Sequence, residues 1–200
     1  MKTLLLLRHA KSSWKQLEGR ADHERPLNRR GRATAPRMGA LLTRLQLCPE
    51  LVIASSARRV VQTLDLLLPL AGFTGELLYT RSLYLNGASA YRAQLARVGA
   101  CLLLPGAPTA DAAAGRSEVE QPAPEQAEAE TLMLVGHNPD LEELLSELTG
   151  VDARLPTGSL AVLRCNVGTW RAFGGSNIDR VRQEIATELV QIYRPRELST

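Results

Sequence analysis

Apolar residues fall along this chain in two rhythms. Nearly unbroken apolar runs occupy residues 4–7, 51–54 and 131–135. Runs of this length bounded by polar residues predict strands buried on both faces. Between them the spacing turns helical. Ala33, Met38, Leu41, Leu42 and Leu45 form a stripe over 29–45, with Asn28 placed to cap it and Pro36 inside it as a source of a kink or a late start. Val60, Val61, Leu64, Leu67 and Leu68 form a second stripe over 58–70. Tyr91, Leu95, Val98 and Leu102 give a third over 90–104, and Leu141, Leu144, Leu145 and Leu148 a fourth that ends at Gly150. Shorter strands are predicted at 77–79, 159–164 and 188–193. Residues 14–28 are polar, with Gly19 and Pro26, and read as a loop over the end of the first strand.

Strands alternating with helices predict an α/β fold, a three-layer sandwich with a mostly parallel central sheet and helices on both faces. Its 200 residues suit one domain spanning 1–200. Residues 105–130 break the pattern. They are rich in Ala, Pro, Gly and Glu and hold almost no large apolar side chain. Such a stretch cannot bury enough surface to offset its ordering entropy, so a flexible insertion is expected there.

Composition narrows the function. A net charge of +3 and only 4% aromatic residues argue against a nucleic-acid partner that needs a basic surface and stacking platforms. No apolar run approaches a membrane span, and the apolar start is too short for a signal peptide. Cys48, Cys101 and Cys165 are odd in number and show no metal-ligand spacing, as reduced thiols of a cytoplasmic protein would. The arginines cluster between Arg20 and Arg37, a distribution that attracts anions.

The chemistry lies where strands end. Arg8 and His9 follow the first strand, Arg58 and Arg59 open the helix after the second, and His137 follows the 131–135 strand. Ligands of open α/β sheets bind outside the carboxyl ends of the strands. Two of the three histidines therefore meet two arginines at one edge, with no acid adjacent in sequence. That is an anion site suited to phosphoryl transfer, where catalysis is mainly positioning and charge stabilisation. A neighbouring arginine holds an imidazole neutral, and a neutral imidazole is a nucleophile toward phosphorus.

Three motifs carry a family resemblance. Leu7-Arg8-His9-Ala10, Ser55-Ser56-Ala57-Arg58-Arg59-Val60-Val61-Gln62-Thr63 and Val135-Gly136-His137-Asn138-Pro139 resemble the signatures of the histidine phosphatase superfamily, which has a phosphoglycerate mutase-like fold. Within it, Arg8 to Ser12, Arg25-Pro26-Leu27-Asn28 with Arg30-Gly31, and Gly136 to Asp140 are most similar to SixA-type phosphohistidine phosphatases. The resemblance implies that His9 attacks phosphorus and becomes phosphohistidine. Arg8 and Arg59 would hold phosphoryl oxygens, and His137 would donate a hydrogen bond to them. Arg25, Lys11 and Ser12 are then candidates for substrate binding. No metal or cofactor is implied, since arginines supply the charge.

The partner expected is a phosphorylated protein bearing phosphohistidine, or a small phosphorylated metabolite, and neither a nucleic acid nor a membrane. Glu76 is the only acid in the stretch just past the second helix, up to Gly87, where related esterases carry a proton donor. General acid catalysis is worth about 10²–10⁴-fold, and a phosphoramidate needs it less than an ester. This favours protein phosphohistidine as substrate over a small phosphomonoester, and the intact set of Arg8, His9, Arg59 and His137 speaks against a non-catalytic phosphate-binding role. Asp140 and Glu76 are the remaining candidate acids. His23 is expected to be solvated, and Trp14 and Trp170 to be packing residues.

Overall fold

A computed structural model describes residues 1–14, 21–98, 128–174 and 178–198. The first buried run is β1 (Lys2–Arg8), whose side chains alternate between two cores. Leu4 and Leu6 enter one, Leu5 and Leu7 the other. β2 (Leu51–Ser55) and β4 (Thr131–Gly136) divide in the same way, with Ile53 and Leu134 on one face and Val52 and Met133 on the other. A strand apolar at every position is therefore sandwiched between helical layers. β3 (Glu76–Thr80), β5 (Leu160–Cys165) and β6 (Thr187–Tyr193) complete a six-stranded sheet of order β3-β2-β4-β1-β5-β6. The pairs β3–β2, β2–β4 and β4–β1 are parallel, while β1–β5 and β5–β6 are antiparallel.

The helices α1 (Arg29–Leu45) and α2 (Arg58–Ala71) cover one face. The helices α3 (Ala88–Arg97), α4 (Asp140–Thr149) and α5 (Ile178–Glu184) cover the other. The structure is thus the expected three-layer α/β sandwich. In α1 the Asn28 side chain accepts from the Gly31 N–H at 2.9 Å, and the helix continues through Pro36. Its buried stripe is Ala35, Met38, Leu41 and Leu42, whereas Ala33 is exposed. The α3 helix is shorter than its sequence pattern, ending at Arg97, and residues 99–104 lie outside the described residues. Among the elements without a sequence signal are α5 and the 3-10 turn Trp170–Gly174. Each buries only one or two side chains, too few to set up a period.

Most of the expected insertion at 105–130 also lies outside the described residues. Its last three residues are tied to the sheet. Lys2 Nζ donates to Glu130 Oε1 at 3.0 Å, and Trp170 Nε1 donates to the Ala129 carbonyl at 2.7 Å. Trp170 is buried, as a packing residue should be. No helix among the described residues is long and apolar enough to cross a membrane.

Candidate active site

Parallel pairing places the carboxyl ends of β1, β2 and β4 side by side. Arg8 is in register with Gly136, so His9 and His137 leave adjacent strands together, their ring centroids 5.2 Å apart. The His9 backbone is clamped on both sides. Its N–H donates to the Gly136 carbonyl at 3.1 Å, and its carbonyl accepts from the Gly158 N–H at 3.0 Å. β4 lies between β1 and β2, so His137 stands between His9 and the residues that follow β2. Gly136 is required here by space. A Cβ at this position would fall 1.7 Å from the Tyr91 hydroxyl oxygen, which accepts from the His137 N–H at 3.2 Å and donates to the Leu83 carbonyl.

Hydrogen bonding decides both tautomers. His9 Nδ1 lies 2.7 Å from the Ala10 carbonyl, which can only accept, so Nδ1 carries the proton and Nε2 the lone pair. His137 Nδ1 lies 3.2 Å from Arg59 Nη2, which can only donate, so Nδ1 accepts. The His137 proton therefore sits on Nε2 and is donated to Ser55 Oγ at 2.9 Å. Burial is the main reason that both rings resist protonation. His9 is held well below the ordinary histidine value by burial, with His137, Arg59 and Arg8 adding to the effect. His137 is pushed down to about 3 by burial and then by Arg59.

Arg59 is almost wholly buried, although it opens α2. Its Nη1 donates to the Asp22 carbonyl at 2.9 Å, and Nη2 lies 3.2 Å from Asp22 Oδ2. Thr63, one turn along α2, accepts from the Ala10 N–H at 3.1 Å and donates to the Arg59 carbonyl at 2.6 Å. It thereby joins the loop after His9 to the helix that carries Arg59. Arg8 donates from Nη1 to the Leu155 carbonyl at 2.8 Å. Arg8 also borders an open groove of about 440 Å³ shared with Asn138, Pro139, Glu142, Arg154 and Pro156. Arg25 is buried beneath Trp14, its guanidinium carbon 3.7 Å from the ring centroid. Arg8 Nε, Arg59 Nε and Arg25 Nη1 are buried donors without a hydrogen-bond partner.

The structure corrects several sequence expectations. An acid does reach the site. Asp22, in the 3-10 turn Asp22–Glu24, accepts from the Tyr84 hydroxyl at 2.7 Å and pairs with Arg59 and Arg25. Burial acts to raise its pKa, but the Tyr84 bond and the two arginines outweigh this and bring it below the usual value. It is consequently ionised at neutral pH and poorly suited to giving up a proton. Glu76 begins β3 and pairs in register with Leu51, which puts it at the opposite edge of the sheet. Asp140 is buried, with its carboxylate accepting from the Gly87 N–H at 3.1 Å. His23 is only partly exposed; it bonds Ser56 and Glu24 and packs on Tyr84. Trp14 is 66% exposed and covers Arg25 rather than entering a core.

Lys11 is exposed, and its carbonyl accepts from the Asn28 N–H. Ser12 is buried and pairs through its backbone with Leu27. Both shape the loop that follows His9. Ser55, Asp22, Tyr84 and Tyr91 join the site without having been singled out from sequence. Only Ser55 had a usable signal, its place at a strand's carboxyl end. Among the described residues no group of three or more His, Cys, Asp or Glu converges as metal ligands.

Comparison with known proteins agrees with this architecture. An uncharacterised chloroplastic protein of Arabidopsis thaliana is 31% identical over 175 residues, covering 86% of this chain and 67% of that protein. A candidate phosphohistidine phosphatase SixA from Agrobacterium tumefaciens superposes with a TM-score of 0.67 at 24% identity, over 97% of this chain and 98% of its own. The protein histidine phosphatase SixA complexed with tungstate gives 0.68 at 14% identity, over 98% and 99%. A mycobacterial glucosyl-3-phosphoglycerate phosphatase gives 0.59 at 16% identity, over 96% and 98%. These structures share the fold. The family model of the histidine phosphatase superfamily (branch 1) matches residues 4–78, the stretch from β1 through β3 that carries Arg8, His9, Arg25 and Arg59. On that match, and on a fold shared from end to end, the chain belongs to the histidine phosphatase superfamily.

Proposed function

We propose that this protein is a phosphatase that acts through a phosphohistidine at His9, with protein phosphohistidine as its substrate. The observation that carries the reading is the His9 tautomer. The Nδ1–H donates to the Ala10 carbonyl and burial keeps the ring neutral, so the Nε2 lone pair is available for attack near neutral pH. In the first step Nε2 bonds to phosphorus and the bond to the leaving group breaks. Water then attacks phosphorus and releases His9. Arg8, Arg59 and Arg25 offer the buried N–H donors that equatorial phosphoryl oxygens require. His137 Nε2–H, bound to Ser55 in the resting site, is the donor that exchanges to a phosphoryl oxygen as charge builds up. The ionised state of Asp22 and the distant placement of Glu76 favour a substrate whose leaving nitrogen can already carry its proton.

A second reading, a small phosphomonoester, is favoured by the open groove beside Arg8 and by the shared fold of the glucosyl-3-phosphoglycerate phosphatase. One experiment separates them. Wild type and His9→Ala are given a phosphohistidine-bearing protein and a set of small phosphate esters, with a chelator present. Turnover of the protein substrate by wild type alone, with an acid-labile and base-stable phosphoenzyme, is expected. Faster turnover of the esters moves the assignment to the second reading. A wild type inert toward all of them refutes the phosphatase reading.

A further inference from the structure

A few residues beyond His9 the chain presents a tryptophan to solvent. Trp14 is 66% exposed, so it gains too little from burial to count as a core residue. Backbone pairing fixes what it covers. The Asn28 N–H donates to the Lys11 carbonyl at 3.0 Å, Ser12 and Leu27 form an antiparallel bridge, and the Ser13 N–H donates to the Pro26 carbonyl at 2.9 Å. The same register sets Trp14 opposite Arg25, where cross-strand side chains meet. The Arg25 guanidinium carbon lies 3.7 Å from the indole centroid. This ribbon is tied to α2 as well, since the Leu27 N–H donates to Gln62 Oε1 at 2.8 Å.

Arg25 carries its charge into the wall of the site. Its side chain is 8% exposed, with Nε 3.4 Å from Asp22 Oδ1. The other oxygen of that carboxylate lies 3.2 Å from Arg59 Nη2, so one acid spans both guanidiniums. Arg59 Nη2 in turn donates to His137 Nδ1. Burial and then Arg59 hold His137 neutral, and the Arg25 charge adds to them. Arg25 Nη1 is buried with no hydrogen-bond partner. Such a donor is costly to leave unpaired, and an oxyanion is the ligand that pairs it best. The guanidinium must then be held without engaging its N–H groups. A carbonyl or a second carboxylate would occupy them. An aromatic face attracts the cation, keeps water from it and engages none of its donors.

We propose that Trp14 is a positioning residue that holds Arg25 by its face so that Nη1 stays free for a phosphoryl oxygen, an inference that rests on the phosphatase reading above. Asp22 fixes the edge of the guanidinium and Trp14 fixes its plane. The segment that leads away from the nucleophile thus delivers the clamp on an arginine that follows it in the chain. Trp14 serves the phosphoryl group and not the group that bears it, so its effect is the same whatever leaves.

The test is a double-mutant cycle, whose coupling a merely structural role would not produce. Three quantities are measured: kcat/KM on a phosphohistidine-bearing protein, kcat/KM on phosphoramidate, and affinity for orthovanadate. The proteins are wild type, Trp14→Phe, Trp14→Leu, Arg25→Gln and the variant carrying both Trp14→Leu and Arg25→Gln. Trp14→Leu is expected to lose about tenfold in all three, the size of one desolvated cation–π contact. Trp14→Phe keeps a ring face and should stay within about threefold of wild type. Once Arg25→Gln is in place, Trp14→Leu should cost less than about twofold more, because no guanidinium is left to position.

The same Trp14→Leu loss in both backgrounds, or no loss, overturns the proposal and leaves the phosphatase reading standing. A loss confined to the protein substrate also overturns it, and makes Trp14 a contact for that protein. Trp14→Phe as impaired as Trp14→Leu overturns it too. A wild type inert on both substrates refutes the phosphatase reading instead. The vanadate affinities then decide Trp14 by the same comparison, and a wild type that does not bind vanadate overturns the proposal as well. Should Arg25→Gln unfold, Arg25→Lys takes its place in the cycle. Lysine keeps the charge without a planar face to stack, so an undiminished Trp14→Leu loss in that background overturns the assignment.

Discussion

The buried histidines make the fold sensitive to acid by an amount that can be worked out. His137 is pushed down to about 3 in the folded protein, while an unfolded histidine titrates near ~6.5. As pH falls through that unfolded value, the unfolded chain binds a proton that the folded chain refuses. The unfolded state then holds more protons, so stability rises with pH across this window and is lost as pH falls. Between pH 7 and pH 5 one such histidine removes about 2 kcal/mol. That figure is set by the unfolded pKa and hardly depends on how far below pH 5 the folded value lies. His137 is 2% exposed, so solvent screening does not reduce it.

His9, also held well below its ordinary value by burial, contributes with the same sign. The assay is urea unfolding at pH 7 and pH 5, followed by the fluorescence of buried Trp170. The pH-dependent loss should shrink by about 2 kcal/mol in His137→Gln, and further in the variant that also carries His9→Gln. Comparing each variant with itself at two pH values removes any constant cost of the substitution. If wild type and His137→Gln lose the same stability on acidification, the buried neutral histidine is refuted.

Three further outcomes are expected. His9→Asn should lower turnover by at least about 10⁴-fold, as removal of a covalent nucleophile does, and leave no phosphoenzyme on an acid-free gel; a retained phosphoenzyme would place the nucleophile elsewhere. Asp22→Asn removes a charge that holds Arg59, but Asp22 is 39% exposed and therefore screened. Its pairing is worth about 1 kcal/mol, so kcat/KM should fall roughly fivefold, and a change under twofold would show that Arg59 is held without it. Gly136→Ala should destabilise by about 1–3 kcal/mol, because its Cβ meets the Tyr91 hydroxyl. Adding Tyr91→Phe should recover part of that loss, and simple additivity in urea unfolding would contradict the contact.

Much of the fold could be read locally. The runs at 4–7, 51–54 and 131–135 were strands because a segment apolar at every position needs cover on both faces. The four helical stripes followed from period 3.6, and the boundaries of α1 matched the capping position of Asn28. Arg8, His9, His137 and the pair Arg58–Arg59 could be picked out because strand ends are where this architecture leaves room for a ligand, and the motif resemblance singled out Arg59 from that pair. The parts missed were those with few buried apolar residues, such as α5, and those whose partners are distant in the chain.

The sequence by itself determined the strands and the four longer helices, their alternation, and the edge of the sheet at which two imidazoles and two arginines would meet. These depend on periodicity and on residues next to one another, which any window of the chain displays. Tertiary structure alone decided the strand order β3-β2-β4-β1-β5-β6, which sets His137 between His9 and Ser55. It alone decided which nitrogen of each ring carries the proton, since Ala10 and Arg59 impose that through contacts of specific geometry. It also brought Asp22 to Arg59 across 37 residues and to Tyr84 across 62, and sent Glu76 to the far edge. A side chain's charge partner depends on which elements pack together, and hydrophobic patterning carries no record of it.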